Sequence, residues 1–212
     1  DAANTLISSA IAQAENESYF KGEEVLYLLR STVTRKQKNF DQALQDAQTA
    51  RQLNPTYARG WLAEGNVYYD MVVETDDWER YDLLDLAMQS YYSATLQIED
   101  APVGAYIREK AVVSLGNTYL VLAQNTGSCD LSQPAQASDA CDLFQQAMDD
   151  YGEVISLYEQ SGDASYREDI QEQAAIAYFG MGAAYERQNL RDAAIEAYHT
   201  AAKKTRDDEL KA

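Results

Sequence analysis

A recurring spacing of small and aromatic residues constrains this chain more than any other feature of its sequence. The pattern Ala-x3-large-x2-Ala occurs as Ala87, Tyr91, Ala94; as Ala140, Phe144, Ala147; and as Ala194, Tyr198, Ala201, while Ala43, Ala47, Ala50 has a small middle residue. Spacings of three and four residues place every member of a copy on one face of a helix. The small members allow a second helix to approach closely, and the large members fill the groove beside them.

A second pattern precedes each copy and predicts the other helix of a hairpin. It is an apolar or aromatic residue, then a small residue, then a tyrosine: Trp61, Gly65, Tyr68; Val112, Gly116, Tyr119; and Tyr178, Gly182, Tyr185, with a degenerate first copy at Tyr27, Ser31, Thr34. A hairpin of this kind cannot bury its apolar face alone, so its neighbours must stack on it. We therefore expect an all-α, helix-hairpin solenoid of about four repeats.

These paired patterns resemble the tetratricopeptide repeat family, whose signature W-x2-L-G-x2-Y…A-x3-F…P recurs about every 34 residues. Ser31 to Ala43 and Gly182 to Ala194 both span 12 residues, which is the family's spacing, and Pro55 lies where the family ends a repeat. The resemblance covers roughly residues 22–206. It implies a recognition scaffold, although one fold can host many functions.

The two central repeats depart from the family's spacing. Gly65 to Ala87 is 22 residues and Gly116 to Ala140 is 24 residues, so these hairpins carry insertions of about ten and twelve residues, and such insertions often map to one, binding, face. We predict a domain over residues 22–212, with repeats near 24–57, 58–101, 109–160 and 163–206, behind an amphipathic helix within residues 1–21. In the last repeat the first helix is predicted over 163–188, with Asp163 as its N-cap.

Charge and composition exclude several classes of function. The chain has 17 basic and 35 acidic residues, a net charge of −18, whereas nucleic-acid binding requires basic residues opposite the phosphates. No apolar run of about 18 residues exists, so direct membrane insertion is not expected. His199 is the only histidine, and no phosphate-binding loop is present. We therefore expect no enzymatic activity, cofactor or metal site.

An acidic, aromatic segment lies in the first insertion. Trp78 and Tyr81 are interleaved there with carboxylates at Asp70, Glu74, Asp76, Asp77, Glu79, Asp82 and Asp85, against the one cation Arg80. This segment is either a solvated hairpin tip with aromatic anchors or a binding lip for a basic or polar ligand.

Four residues are candidates for binding a partner in a concave groove: Asn66, Tyr69, Asp70 and Asn117. Each asparagine directly follows the small packing residue of its repeat. In family members that hold a peptide's C-terminal carboxylate, an asparagine here works with basic neighbours, but the companion positions in this chain are Leu62 and Val113. The resemblance therefore does not extend to a carboxylate clamp. The asparagines could still hydrogen-bond a bound backbone, or they could serve packing between helices.

Cys129 and Cys141 are the only cysteines, and they flank the second insertion. They could form a disulfide, which for a loop of about 12 residues contributes roughly 3 kcal/mol in the chain-entropy model, or they could be free thiols. An oxidised pair predicts an extracytoplasmic location, periplasmic or at the cell surface, and a reduced pair predicts a cytoplasmic one.

The sequence thus favours a non-enzymatic module that binds a peptide or protein segment, basic or polar, in a concave helical groove. The alternative is a structural, oligomerisation or spacer region of a larger multidomain protein. Self-association is compatible with either interpretation, and the sequence singles out no particular partner.

Overall fold

The computed structural model of this chain describes residues 2–16, 22–75, 80–97, 105–127, 129 and 139–205. Within these residues it contains ten α-helices and no strand, which confirms the all-α prediction. The helices are α1 (Ala2–Asn16), α2 (Glu23–Lys36), α3 (Phe40–Leu53), α4 (Ala58–Val73), α5 (Tyr81–Leu96), α6 (Ala105–Thr126), α7 (Asp139–Gln160), α8 (Ala164–Asp169), α9 (Gln171–Arg187) and α10 (Arg191–Lys204). No helix of the described ranges is both long and apolar enough to cross a membrane.

The chain divides into two compact units, Asp1–Asp100 and Ala101–Ala212. In unit 1, α2 pairs with α3 and α4 with α5, while α4 also contacts α2 and α3, and α1 packs on α2. In unit 2, α6 pairs with α7 and α9 with α10, and α9 contacts both α6 and α7. Each unit is therefore a stack of helical hairpins. The predicted boundary after residue 21 stays a prediction, and α1 is grouped with α2–α5 in unit 1.

The hairpins at the two ends of the repeat series have tight turns of the same design. Lys38 and Asn189 adopt the left-handed conformation with φ of 60°. The backbone N–H groups of Asn39 and Leu190 then donate to the carbonyls of Thr34 and Tyr185, both at 2.9 Å. These bonds satisfy carbonyls that the end of a helix would leave without donors. This geometry accounts for the 12-residue spacing in the first and last repeats.

Tyrosine rings packed on glycines hold together every hairpin after the first. A Cβ added at Gly65 would lie 2.6 Å from Tyr91, and one added at Gly182 would lie 2.7 Å from Tyr198. No real Cβ tolerates such a distance, so only glycine lets the ring lie flat against the helix backbone. In the degenerate first hairpin the small residue is Ser31, whose hydroxyl donates to the carbonyl of Ala43 at 2.8 Å.

The third hairpin uses a different register from the predicted one. The sequence pattern pairs Gly116 with the copy Ala140, Phe144, Ala147, but the ring that packs on Gly116 is that of Tyr151, 2.7 Å from an added Cβ. The copy of the pattern that packs against α6 is therefore Ala147, Tyr151 and Val154, and all three residues are fully buried. A shift of seven residues keeps the same face of a helix, so both copies are buried and the pattern could not separate them.

The predicted continuous helix over 163–188 is wrong, because Ile170 (φ −97°, ψ 3°) separates α8 from α9. Ile170 is fully buried, and the bend places this side chain in the core of unit 2. The N-cap prediction for Asp163 is confirmed, since its carboxylate accepts from the backbone N–H groups of Ser165 at 2.9 Å and Tyr166 at 3.2 Å.

Candidate functional site

The asparagines that follow the packing glycines are held by the packing tyrosines. The Tyr91 hydroxyl donates to Asn66 Oδ1 at 3.0 Å, and the Tyr151 hydroxyl donates to Asn117 Oδ1 at 2.8 Å. Both asparagines are half-buried, and neither Nδ2 donates to any residue that the structure describes. Each hairpin thus orients one amide so that its two N–H donors face away from the tyrosine. Asn66 belongs to unit 1 and Asn117 to unit 2.

Ion pairs between the C-terminal ends of α2 and α4 define a second feature of unit 1. Arg35 pairs with Asp70, and Lys38 Nζ lies 2.7 Å from Glu74 Oε2; we call these four residues the α2–α4 polar face. Burial raises the pKa of Asp70 above its ordinary value, although Arg35 acts in the opposite direction. Asp70, predicted to bind a basic partner, is therefore already neutralised within the chain.

Tyr69 lies between Asn66 and Asp70 on α4, and its side chain is half-buried. Burial is the main reason that its pKa is raised to about 12. The hydroxyl therefore stays protonated across the physiological range and remains a neutral donor. Because residues three apart share a helix face, Asn66 and Tyr69 offer two neutral donors beside the α2–α4 polar face.

The acidic segment in the first insertion is only partly described. Asp76, Asp77, Trp78 and Glu79 lie outside the described residues. Asp82 and Asp85 are exposed in the first two turns of α5. Of the described carboxylates in this segment, that of Asp70 is paired with Arg35 in the last turn of α2, and that of Glu74 is paired with Lys38 just after this helix. The sequence missed Arg35 and Lys38 as partners, although they precede Asp70 and Glu74 by about one repeat length.

The cysteines form the disulfide that the sequence favoured, with a Cα–Cα distance of 5.0 Å. Cys129 is almost fully buried and packs in the core of unit 2, where Ala140, Phe144 and Ala147 lie as well. The bond therefore ties the start of the α6–α7 connection to the first turn of α7. Residues 130–138 between the two cysteines lie outside the described part of the chain.

Asp150 on α7 is a partly buried carboxyl with one oxygen, Oδ2, that is buried and accepts no hydrogen bond from a described residue. Desolvation by burial, followed by the neighbouring charges of Glu153 and Asp149, raises its pKa from 3.8 to about 7. On the facing helix α6, Tyr119 has its own pKa raised by burial and by Asp150. The protonated form of Asp150 is thus favoured by the folded state.

Because the pKa of Asp150 is raised in the folded chain, we expect the stability of the fold to depend on pH. Between about pH 4 and pH 7 the folded chain holds a proton on Asp150 that the unfolded chain has lost, so the free energy of unfolding falls as the pH rises through this window. We expect Asp150→Asn to remove this slope and to gain roughly 1–2 kcal/mol on the parent chain between pH 5 and pH 8, a value discounted for partial exposure. Urea unfolding at both pH values measures it.

Asp149→Asn is the matched control for this prediction. Asp149 is exposed and accepts from Gln145 Nε2 at 2.8 Å, so its substitution removes one neighbouring charge but leaves the buried carboxyl in place. Parallel pH profiles for the parent chain and Asp150→Asn would show that burial of this carboxyl has no energetic consequence.

No model of a known protein family matches this sequence. A comparison with curated proteins likewise finds no match. Among solved structures the chain is similar to YrrB, a TPR protein with an unusual peptide-binding site, at 17% identity, covering 96% of this chain and 94% of that one, with a TM-score of 0.35. It is also similar to MamA, at 20% identity, covering 82% of this chain and 93% of that one, with a TM-score of 0.30.

These TM-scores are low, so we assign the fold from the packing of helices within the chain itself. Three hairpins insert a tyrosine from the second helix against a glycine of the first helix, at Gly65, Gly116 and Gly182. The hairpins follow one another along the chain and stack within each unit, as the spacing of the repeated residues predicts. The fold of this chain is therefore that of a tetratricopeptide-repeat-like protein, built of helical hairpins.

Proposed function

We propose that this chain is a non-enzymatic interaction module that binds a peptide or protein segment of polar or basic chemistry along the first helices of its hairpins. The observation that carries the proposal is the repeated arrangement of an asparagine whose oxygen accepts from a packing tyrosine while its Nδ2 donors remain unused by described residues. Donors held in position before a ligand arrives lose little entropy on binding. Backbone carbonyls of a bound segment are suitable acceptors.

Tyr69 and the α2–α4 polar face would complete the site in unit 1. The neutral Tyr69 hydroxyl adds a donor one turn from Asn66, and the paired charges of Arg35 and Asp70 cancel locally. Recognition there would depend on hydrogen bonds to the backbone rather than on net charge. A preference for basic partners would come from exposed carboxylates such as Asp82 and Asp85 and from the net charge of −18, which steer association.

The test uses an array of immobilised 12-residue peptides, half of neutral polar and half of basic composition, probed with the purified chain. For peptides that bind, we expect Asn66→Ala or Asn117→Ala to weaken affinity by about five- to a hundredfold, the effect of losing one or two hydrogen bonds. Asn125→Ala is the matched control, because Asn125 Nδ2 already donates to the carbonyl of Val121 at 2.8 Å.

Two outcomes would contradict the proposal. One is that no peptide binds. The other is that Asn66→Ala, Asn117→Ala and Asn125→Ala weaken binding equally. Tyr91→Phe refines the test, since it keeps the Asn66 amide but removes the hydroxyl that orients it. We expect this variant to lose part of the affinity that Asn66→Ala loses.

A structural role in self-association is the second candidate, and exposed apolar side chains favour it. On α5, Tyr92 is 59% exposed and Leu96 is 60% exposed, and on α2 Leu29 is 50% exposed. Such side chains cost free energy in water and are typical of interaction surfaces when they cluster. Analytical sedimentation over a range of protein concentrations tests this function. A degree of self-association that rises with concentration, and that no peptide from the array alters, would favour self-association over peptide binding.

We propose further that the chain functions outside the cytoplasm, in the periplasm or at the cell surface, because disulfides persist in oxidising compartments. The support is the pairing of Cys129 with Cys141. Alkylation of protein taken directly from its native compartment, followed by intact mass, tests this. Two alkylated thiols would overturn the proposed location but would leave the interaction function standing.

A further inference from the structure

Two cations of unit 2 differ from the five cations that form ion pairs among the described residues. Arg30, Arg35, Lys38, Arg51 and Arg108 each pair with a carboxylate. Arg167 on α8 and Lys204 at the end of α10 form no ion pair with any residue that the structure describes.

Both of these cations converge on one aromatic ring. Arg167 Cζ lies 5.2 Å from the centroid of the Tyr158 ring, and Lys204 Nζ lies 4.4 Å from it. Lys204 Nζ is also 5.5 Å from the centroid of the Tyr178 ring. Contacts with a ring face position a cation but do not neutralise it. Both positive charges are therefore held against the Tyr158 ring.

The backbone around these cations is anchored. Gln171 Nε2 donates to the carbonyl of Lys204 at 2.6 Å, and the Thr205 hydroxyl donates to Glu172 Oε1 at 2.6 Å. The second ring is also held, because the Tyr178 hydroxyl donates to Glu159. These bonds join the end of α10 to the start of α9. Lys204 is half-buried as a result, unlike a lysine on a free surface.

A cavity of about 380 Å³ opens beside the same ring. Tyr158, Ala164, Arg167, Glu168 and Gln171 line it. The Tyr158 hydroxyl forms no hydrogen bond with a described residue, so it can donate to a ligand. Glu168 has a partner of its own, but its charge disfavours a ligand that carries two negative charges in this space. The lining therefore suits a single carboxylate better than a phosphate.

We infer that this cavity, here called the Tyr158 site, binds one carboxylate side chain of an acidic segment in a partner protein. The Arg167 guanidinium would hold both carboxylate oxygens, the Tyr158 hydroxyl would donate to one of them, and Lys204 would add a second positive charge from beside the ring. This site is separate from Asn66 and Asn117 and has the opposite charge preference to the rest of the chain. It does not depend on the proposed function of those asparagines.

The experiment titrates the full chain with an acetylated and amidated hexapeptide, Gly-Ser-Asp-Glu-Ser-Gly, at low salt. NMR follows the Arg167 Nε–H and the Ala164 methyl group. We expect saturable shifts at both positions, and about a fivefold or greater loss of affinity for Arg167→Lys and for Lys204→Ala, since lysine cannot hold a carboxylate bidentately. The Asn-Gln version of the peptide should not bind.

Matched controls separate a site from diffuse attraction. Lys203→Ala removes the neighbouring, exposed charge of the same helix end, and Arg191→Ala removes an exposed arginine at the start of α10; both should bind the peptide as the parent chain does. Ala164→Leu narrows the cavity and should weaken binding without a loss of charge. Equal weakening by Lys203→Ala and Lys204→Ala, or no saturable shift, would overturn the inference.

The same carboxylate chemistry occurs in this chain at Asp207, Asp208 and Glu209. A variant that ends at residue 205 distinguishes the two sources. Equal affinity for the hexapeptide in this variant and the parent chain supports a partner's segment as the occupant. Binding that appears only after removal of residues 206–212 would overturn that choice and assign the site to the chain's own acidic residues.

Discussion

Replacing Gly180 by alanine should lower the free energy of unfolding by about 2–3 kcal/mol, measured by urea unfolding. A Cβ at this position would lie 2.4 Å from Tyr151 Cζ and 2.6 Å from its hydroxyl oxygen. The ring cannot retreat, because it also packs against Gly116 on α6, where an added Cβ would lie 2.7 Å from it, and because Tyr151 is fully buried. One ring thus packs between the glycines of two helices, and a single methyl group forces the hairpins of unit 2 apart.

Gly152→Ala is the matched control for this substitution. Gly152 lies in α7 directly after Tyr151, and a Cβ there would meet nothing within 4 Å. Because alanine favours the helix, this variant should gain about 0.5–1 kcal/mol. The two substitutions add the same methyl group and should have effects of opposite sign. Destabilisation by both, or by neither, would show that Tyr151 does not require glycine on its neighbouring helices.

Loss of the disulfide should be the other large effect. The bond closes a loop with a sequence separation of 12 residues, and the chain-entropy model gives roughly 3 kcal/mol for a loop of this size. We expect Cys129→Ala with Cys141→Ala to lower the free energy of unfolding by about that amount, and reduction of the parent chain to do the same. Alanine is the appropriate replacement because Cys129 is buried. Thermal and urea unfolding with and without dithiothreitol measure both.

The double variant supplies the internal control, because dithiothreitol should not change its stability further. Hydrogen exchange gives a local measure: the first turn of α7 should lose protection, while α2–α5 in unit 1 should not change. If reduction leaves the unfolding midpoint of the parent chain unaltered, the loop is already ordered without the bond.

The fold could be predicted from the periodic spacing of small and aromatic residues. Alanine and tyrosine at spacings of three and four residues indicated the helices, and Gly65 and Gly182 indicated where Tyr91 and Tyr198 pack. Where the register was ambiguous, as between Phe144 and Tyr151, the pattern chose the wrong member. Both residues lie on the same face of α7 and both are buried, so only the position of Gly116 in space distinguishes them.

Less of the candidate site than of the fold could be predicted from the sequence. The sequence identified Asn66 and Asn117 from their place after a glycine, but it could not indicate that Tyr91 and Tyr151 would take the amide oxygens. Asp70 was identified by its charge, whereas its partner Arg35 lies 35 residues away. The sequence did not indicate that Arg167 and Lys204 would lie over one ring, because these residues and Tyr158 come from three different helices.

The sequence by itself determined the all-α class, the pairing of helices into hairpins and the position of the disulfide, because each depends on spacings within one or two neighbouring helices. The tertiary structure alone decided which tyrosine enters which glycine, which charges are neutralised and which remain unpaired. Those outcomes depend on contacts between helices that are distant along the chain, and a periodic pattern that looks the same every seven residues cannot encode them.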